Sequence, residues 1–112
     1  MPTPSSEPPA DVRVQDRILS YTTMPSIDIV ITNKLGLHAR AAAKLTQTAG
    51  RFQSEVYIAR GPQRVNAKSI MGVMMLAAGL GVTVTVDAEG PDADAALEEI
   101  RRLFENKFGE QE

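Results

Sequence analysis

From residue 26 onward, apolar and polar positions follow regular periods. Ile27, Ile29 and Ile31 interleave with Asp28, Val30 and Thr32, a period of two that predicts a strand. Asn33-Lys34-Leu35-Gly36 reads as a turn or loop. Residues 39–50 are alanine-rich, with Ala42, Leu45, Ala49 and Phe52 near one helical face and Gly50 as the stop. Glu55–Arg60 alternates again, Gly61-Pro62 turns the chain, and Gln63–Asn66 returns as a short strand. Ser69–Ala78 reads as a short apolar helix with Ser69 as its N-cap, ended by Gly79-Leu80-Gly81. Val82, Val84 and Val86 alternate with Thr83, Thr85 and Asp87 in a further strand. Pro91-Asp92 opens a last helix whose stripe is Ala93, Ala96, Leu97, Ile100, Leu103, Phe104 and Phe108, with Gly109 following.

The order β-α-β-β-α-β-α predicts an α+β fold, a two-layer open-faced β-sandwich. Its four-stranded, mostly antiparallel sheet carries three helices on one face. Ferredoxin-like and RNA-binding folds share much of this order, so fold alone does not assign function.

Composition narrows the function classes. The 112 residues suffice for one small domain. Five of the seven prolines fall within the first 25 residues, a composition that does not bury enough apolar surface to offset chain entropy. Residues 1–25 are therefore expected to be a disordered proline-rich extension and residues 26–112 the folded domain, with Met24 as an alternative start. With no cysteine and one histidine, thiolate and multi-histidine metal sites are excluded. No apolar run is long enough to span a bilayer and no signal-peptide pattern opens the chain, so a cytoplasmic protein without membrane contacts is expected. Aromatic residues are 4% and net charge is −2, and Tyr57 is the one ring available to the 55–66 strands, which argues against a nucleic-acid platform.

Charge is segregated along the chain. Seven bases (Lys34, Arg40, Lys44, Arg51, Arg60, Arg64, Lys68) stand against one acid between residues 34 and 68, and nine acids against three bases follow from Asp87. The basic stretch suits an acidic protein partner, with Lys44 and Lys68 as docking candidates.

The single histidine stands at a loop-to-helix junction, Gly36-Leu37-His38-Ala39-Arg40. Free amides and the positive helix end make such a junction an anion site suited to phosphate. Gly36 permits the sharp entry, Ala39 supplies an early amide, and Arg40 offers a forked donor to phosphate oxygens. Imidazole forms covalent intermediates, and purely positive surroundings favour its neutral, nucleophilic form. No carboxylate pair or second base lies nearby in sequence, and no glycine-rich nucleotide loop exists. The site reads as one that accepts and passes on a group, with no cofactor.

Two segments carry a family resemblance. Ile31-Thr32-Asn33-Lys34-Leu35-Gly36-Leu37-His38-Ala39-Arg40, followed by Asn66-Ala67-Lys68-Ser69-Ile70-Met71-Gly72-Val73-Met74-Met75-Leu76, resembles HPr, the histidine-containing phosphocarrier family of the bacterial phosphoenolpyruvate-dependent phosphotransferase system. The Thr-Asn-Lys-Leu-Gly lead-in and the acidic tail after Gly90-Pro91 resemble NPr, the nitrogen-related branch. The resemblance implies a phosphocarrier, not a stand-alone enzyme. It implies phosphorylation of His38 on Nδ1 by an enzyme I-type phosphotransferase, assisted by Arg40, and transfer to an EIIA-type acceptor. It further implies that Ser69 matches a serine modified by an ATP-dependent HPr kinase in some relatives, and that Ile70, Met71 and Met74 match the apolar docking helix. Ala41 stands where the family usually has proline; alanine preserves the helix. A different function class is a non-catalytic regulatory binding module that uses the same surface, with its partner affinity switched by phosphorylation at His38 or Ser69. Methionines adapt to several partners, so exposure of Met71 is expected, and a monomer is expected.

Overall fold

The computed structural model describes residues 24–110, so the expectation for residues 1–23 lies outside the described residues. The elements run β1 (Ser26–Val30), α1 (Ala39–Gly50), β2 (Glu55–Arg60), β3 (Gln63–Asn66), α2 (Ile70–Met75), β4 (Thr83–Glu89) and α3 (Ala93–Glu105), then a 3-10 turn over Lys107–Gly109. The four strands form one sheet in the order β1-β4-β2-β3, and every pairing is antiparallel.

Alternation decides which sheet face is covered. Ile29, Val56, Ile58, Val84, Val86 and Ala88 point to the helices and are buried. Against them lie Ala42, Leu45 and Ala49 of α1, Val73 of α2, and Ala96, Leu97, Ile100 and Phe104 of α3. Each large side chain buried this way contributes about 1.5–3 kcal/mol. The outer face is polar. There Arg64 stacks 3.8 Å above the Tyr57 ring and pairs with Asp87 at 3.1 Å. The one ring available as a base-stacking platform is thus already covered.

Several element boundaries differ from the sequence expectation. The second helix spans Ile70–Met75, not 69–78. Its apolar pattern runs on through Leu76 and Ala78, but Ala77 takes a left-handed φ of 50° and breaks the helix. The Arg60 guanidinium bonds the freed carbonyls of Leu76 and Ala77 at 3.1 and 2.9 Å, so that end needs no further turn. β1 stops at Val30, and Ile31 continues as a docked loop.

Phe108 is not on the α3 stripe. The helix ends at Glu105, and Lys107 and Phe108 both adopt left-handed φ values, 53° and 57°. This reversal still buries Phe108, whose ring meets Phe104 edge-on at 4.8 Å.

The register also explains why the loops meet. Val30 pairs with Thr83, so the loop leaving β1 and the loop entering β4 share one end of the sheet. Ile31 N donates to Val82 O, Leu37 N to Ala78 O and Gly81 N to Ile31 O. α3, 13 residues long, runs back from the far end of β4 and delivers residues 106–110 to this same end.

Candidate functional site

His38 is the N-cap of α1, with extended backbone. The first helical bond runs from Ala42 N to His38 O, so the amides of Ala39, Arg40 and Ala41 precede the ladder and face the loop end. Arg40 is exposed, one residue into the helix from Ala39. Ala41 is fully buried and continues the helix where the family usually has proline.

Gly36 holds the loop in place. Its φ is +66°, and an added Cβ would stand 2.6 Å from both Ala78 O and Gly79 Cα. Only glycine meets the conformation and the clearance together. The contact fixes the entry into α1 and therefore the position of His38.

The ring of His38 is not in purely positive surroundings, which corrects the sequence expectation. Its Nε2 lies 2.5 Å from Oε2 of Glu110, across 72 residues of sequence. The other oxygen of Glu110 accepts from Asn33 Nδ2 at 3.1 Å, and the same amide group donates to Gly36 O at 2.9 Å. Burial pushes the Glu110 carboxyl pKa up. The hydrogen bonds from His38 and Asn33 and the charges of His38 and Arg40 outweigh that and hold it below the usual carboxylate range. The carboxylate is therefore ionised at neutral pH.

Lys44 takes a role that the spacing did not reveal. Its ammonium donates to Phe108 O at 2.5 Å, which clamps the segment carrying Glu110 onto α1. Lys68 likewise donates to Phe52 O at 3.0 Å, beyond the end of α1. Arg51 and Arg64 pair with Glu99 and Asp87. Much of the basic stretch is thus matched inside the fold.

Ser69 caps α2, accepting from Gly72 N at 3.1 Å, in line with its pattern. Of the α2 residues only Val73 is buried. Ile70, Met71, Met74 and Met75 face outward, and Met71 is 71% exposed. Exposure of Met71 agrees with the sequence expectation. Among the described residues no group of three or more histidine, cysteine or acidic side chains gathers as a metal site, and no helix is long and apolar enough to cross a membrane.

The site thus brings Gly36, His38, Ala39 and Arg40 together and adds two residues that sequence reasoning passed over, Asn33 and Glu110. Asn33 was visible only as a turn residue. Glu110 had one indirect signal, the Phe108-Gly109 pair after the last helix, which marks a chain reversal without saying where it leads.

Comparison with known proteins agrees with this geometry. A family model described as the PTS HPr component phosphorylation site matches residues 25–106. The chain is similar to the phosphocarrier protein HPr of Cupriavidus necator, 59% identical over 85 residues that cover 76% of this chain and 96% of the relative. It is similar to the phosphocarrier protein NPr of Shewanella violacea, 48% identical over 82 residues covering 73% of this chain and 90% of the relative. Among solved structures, HPr-C-His from Thermoanaerobacter tengcongensis superposes with a TM-score of 0.77 at 45% identity, covering 80% of this chain and all of that one. The match spans both the histidine loop and the α2 segment, and the fold is the same open sheet with three helices. On these grounds the chain belongs to the HPr/NPr family of PTS phosphocarrier proteins.

Proposed function

We propose that the chain carries a phosphoryl group on Nδ1 of His38, accepts it from an enzyme I-type phosphotransferase and passes it to an EIIA-type acceptor. The observation that carries this reading is the orientation of the His38 ring. Nε2 faces the Glu110 carboxylate, while Nδ1 has no hydrogen-bond partner among the described residues. A nitrogen that faces an ionised carboxylate carries the ring hydrogen, which leaves the lone pair on Nδ1. The first amides of α1 and the Arg40 guanidinium then meet the negative oxygens of the group being moved. Transfer of this kind is mainly positioning and charge stabilisation, which a small open site supplies.

The exposed apolar side chains of Ile70, Met71 and Met74 lie on the helix after Ser69 and are read as the docking surface. Lys44 and Lys68 contribute positive charge to that side while bound to carbonyls. On this reading the protein works as a cytoplasmic monomer, needs no cofactor, and is a group carrier. Ser69 is read as the target of an HPr kinase-type enzyme.

The test is incubation with enzyme I and phosphoenolpyruvate, followed by intact mass. One acid-labile phosphoryl group is expected on the wild type and none on His38→Ala. No modification, or modification that persists in His38→Ala, overturns the reading. The EIIA-type protein that then discharges the phosphoryl form identifies the branch served.

A further inference from the structure

We infer that Glu110, held by Asn33, is a positioning residue for phosphoryl transfer: it fixes the hydrogen on Nε2 of His38, holds the ring with Nδ1 outward, and balances the positive charge the ring gains when Nδ1 is phosphorylated. This inference rests on the carrier reading above for its reaction and on separate geometry for its residues.

Three observations meet at Glu110. The first is the pair of contacts on its carboxylate, with His38 Nε2 on one oxygen and Asn33 Nδ2 on the other. The Asn33 side chain is buried and its amide bridges Glu110 to the Gly36 carbonyl, so the carboxylate is tied to the same loop that places His38. The orientation of that amide follows from two acceptors facing it. Its own Oδ1 is buried without a partner, so the residue is kept in an arrangement that leaves one polar atom unsatisfied.

The second observation is the backbone path. Lys107 and Phe108 sit side by side in the left-handed region, which side chains other than glycine rarely enter. An observed outlier of this kind is maintained only when its surroundings over-determine it. Here they do, through the buried Phe108 ring, the Lys44 ammonium on Phe108 O, and Gly109 at φ +80°, where an added Cβ would stand 3.2 Å from Lys44 Nζ. The reversal packs Phe108 against Phe104 of α3, is clamped to α1 by Lys44, and aims residue 110 at His38.

The third is accessibility. The side chains of His38 and Glu110 are 27% and 15% exposed, so their contact is partly withdrawn from water, where a charge-assisted bond orients strongly.

The chemistry balances as follows. The Nδ1 lone pair forms the N–P bond as the donor's bond to phosphorus breaks and its electron pair leaves with the donor. The ring keeps its Nε2 hydrogen and becomes a phosphoimidazolium, whose charge faces the ionised Glu110. In discharge the N–P electron pair returns to Nδ1 while the acceptor's lone pair bonds to phosphorus. No proton is gained or lost by the ring in either direction. A carboxylate that orients an imidazole and stabilises its charged form plays the same part in hydrolytic triads.

The test uses the full chain with 15N-labelled histidine and phosphoramidate, a small donor that needs no docking surface. NMR of the ring reads which nitrogen carries hydrogen, and intact mass reads the rate of His38 modification. The wild type is expected to hold hydrogen on Nε2. Glu110→Ala is expected to lose that preference and to react about tenfold more slowly, the scale on which supporting residues act. Glu110→Gln keeps an acceptor oxygen but not the charge, so it is expected to keep the tautomer and react at an intermediate rate. A Glu110→Ala protein with wild-type tautomer and rate overturns the inference. Should that variant fail to fold, Glu110→Gln decides: a wild-type rate overturns the inference and a slower one supports it. If phosphoramidate leaves wild-type His38 unmodified, the carrier reading fails, while the tautomer comparison still decides the placement of Glu110.

Discussion

Replacing Gly36 by alanine should cost more than its size suggests, because two separate effects coincide there. The left-handed φ of +66° costs alanine roughly 1 kcal/mol. The added Cβ would also stand 2.6 Å from Ala78 O and from Gly79 Cα, and both are backbone atoms. Relief requires the two loops to separate, which strains packing by about 1–3 kcal/mol. It also endangers the 2.9 Å bond from Leu37 N to Ala78 O, a further ~1 kcal/mol. The expected loss is about 3–5 kcal/mol, a large share of the 5–15 kcal/mol typical of a domain. Gly61→Ala is the control. Gly61 has nearly the same φ, +59°, but nothing within 4 Å of an added Cβ, so its loss should stay near 1 kcal/mol. Urea denaturation of both variants measures the difference, and the ring resonances of His38 report whether the site moves. If Gly36→Ala matched Gly61→Ala within about 0.5 kcal/mol and left the His38 resonances unchanged, the argument that loop contact places the histidine would be refuted.

Three other outcomes follow from the same geometry. Gly50→Ala should stabilise the fold by about 0.5–1 kcal/mol in thermal or urea unfolding, because Gly50 is helical and an added Cβ meets nothing. Asp92 accepts from Ser54 Oγ and from the Gln53 and Ser54 amides, and these bonds, the Ser54 hydroxyl first, hold its carboxyl below the ordinary aspartate value of 3.8. Its stabilisation is therefore complete above that value and lost as pH falls through the lower native one, so Asp92→Asn should flatten the acid limb of a melting-temperature profile, and an unchanged limb would count against it. Ser69→Asp should keep α2 capped, since aspartate caps as well as serine, with stability within about 0.5 kcal/mol. It should slow phosphorylation by enzyme I but not by phosphoramidate, and equal slowing of both would place the effect at His38 and not at docking.

What could be read from the chain, and what could not, divides along a physical line. Period-two and helical stripes are local, so the four strands, α1 and the start of α3 were legible from burial alone. The end of α2 was not, because the apolar run through Ala78 is broken by a φ of 50° at Ala77 and capped by Arg60 from another strand. Phe108 sits at helical spacing from Phe104, so its place in the core was predicted for the wrong reason. The residue is buried by a reversal of the chain, not by continuation of the helix. That distinction decides the site. A continued helix would carry residue 110 onward along the helix axis, whereas the reversal returns it to the end of α1. His38, Arg40 and Gly36 lie within five residues of each other and betray themselves as a motif, but Glu110 approaches through a contact spanning 72 residues that no local pattern encodes. The histidine that stands alone in sequence is therefore one end of a three-residue chain, Asn33 to Glu110 to His38, whose two supporting members are joined to it only by the fold.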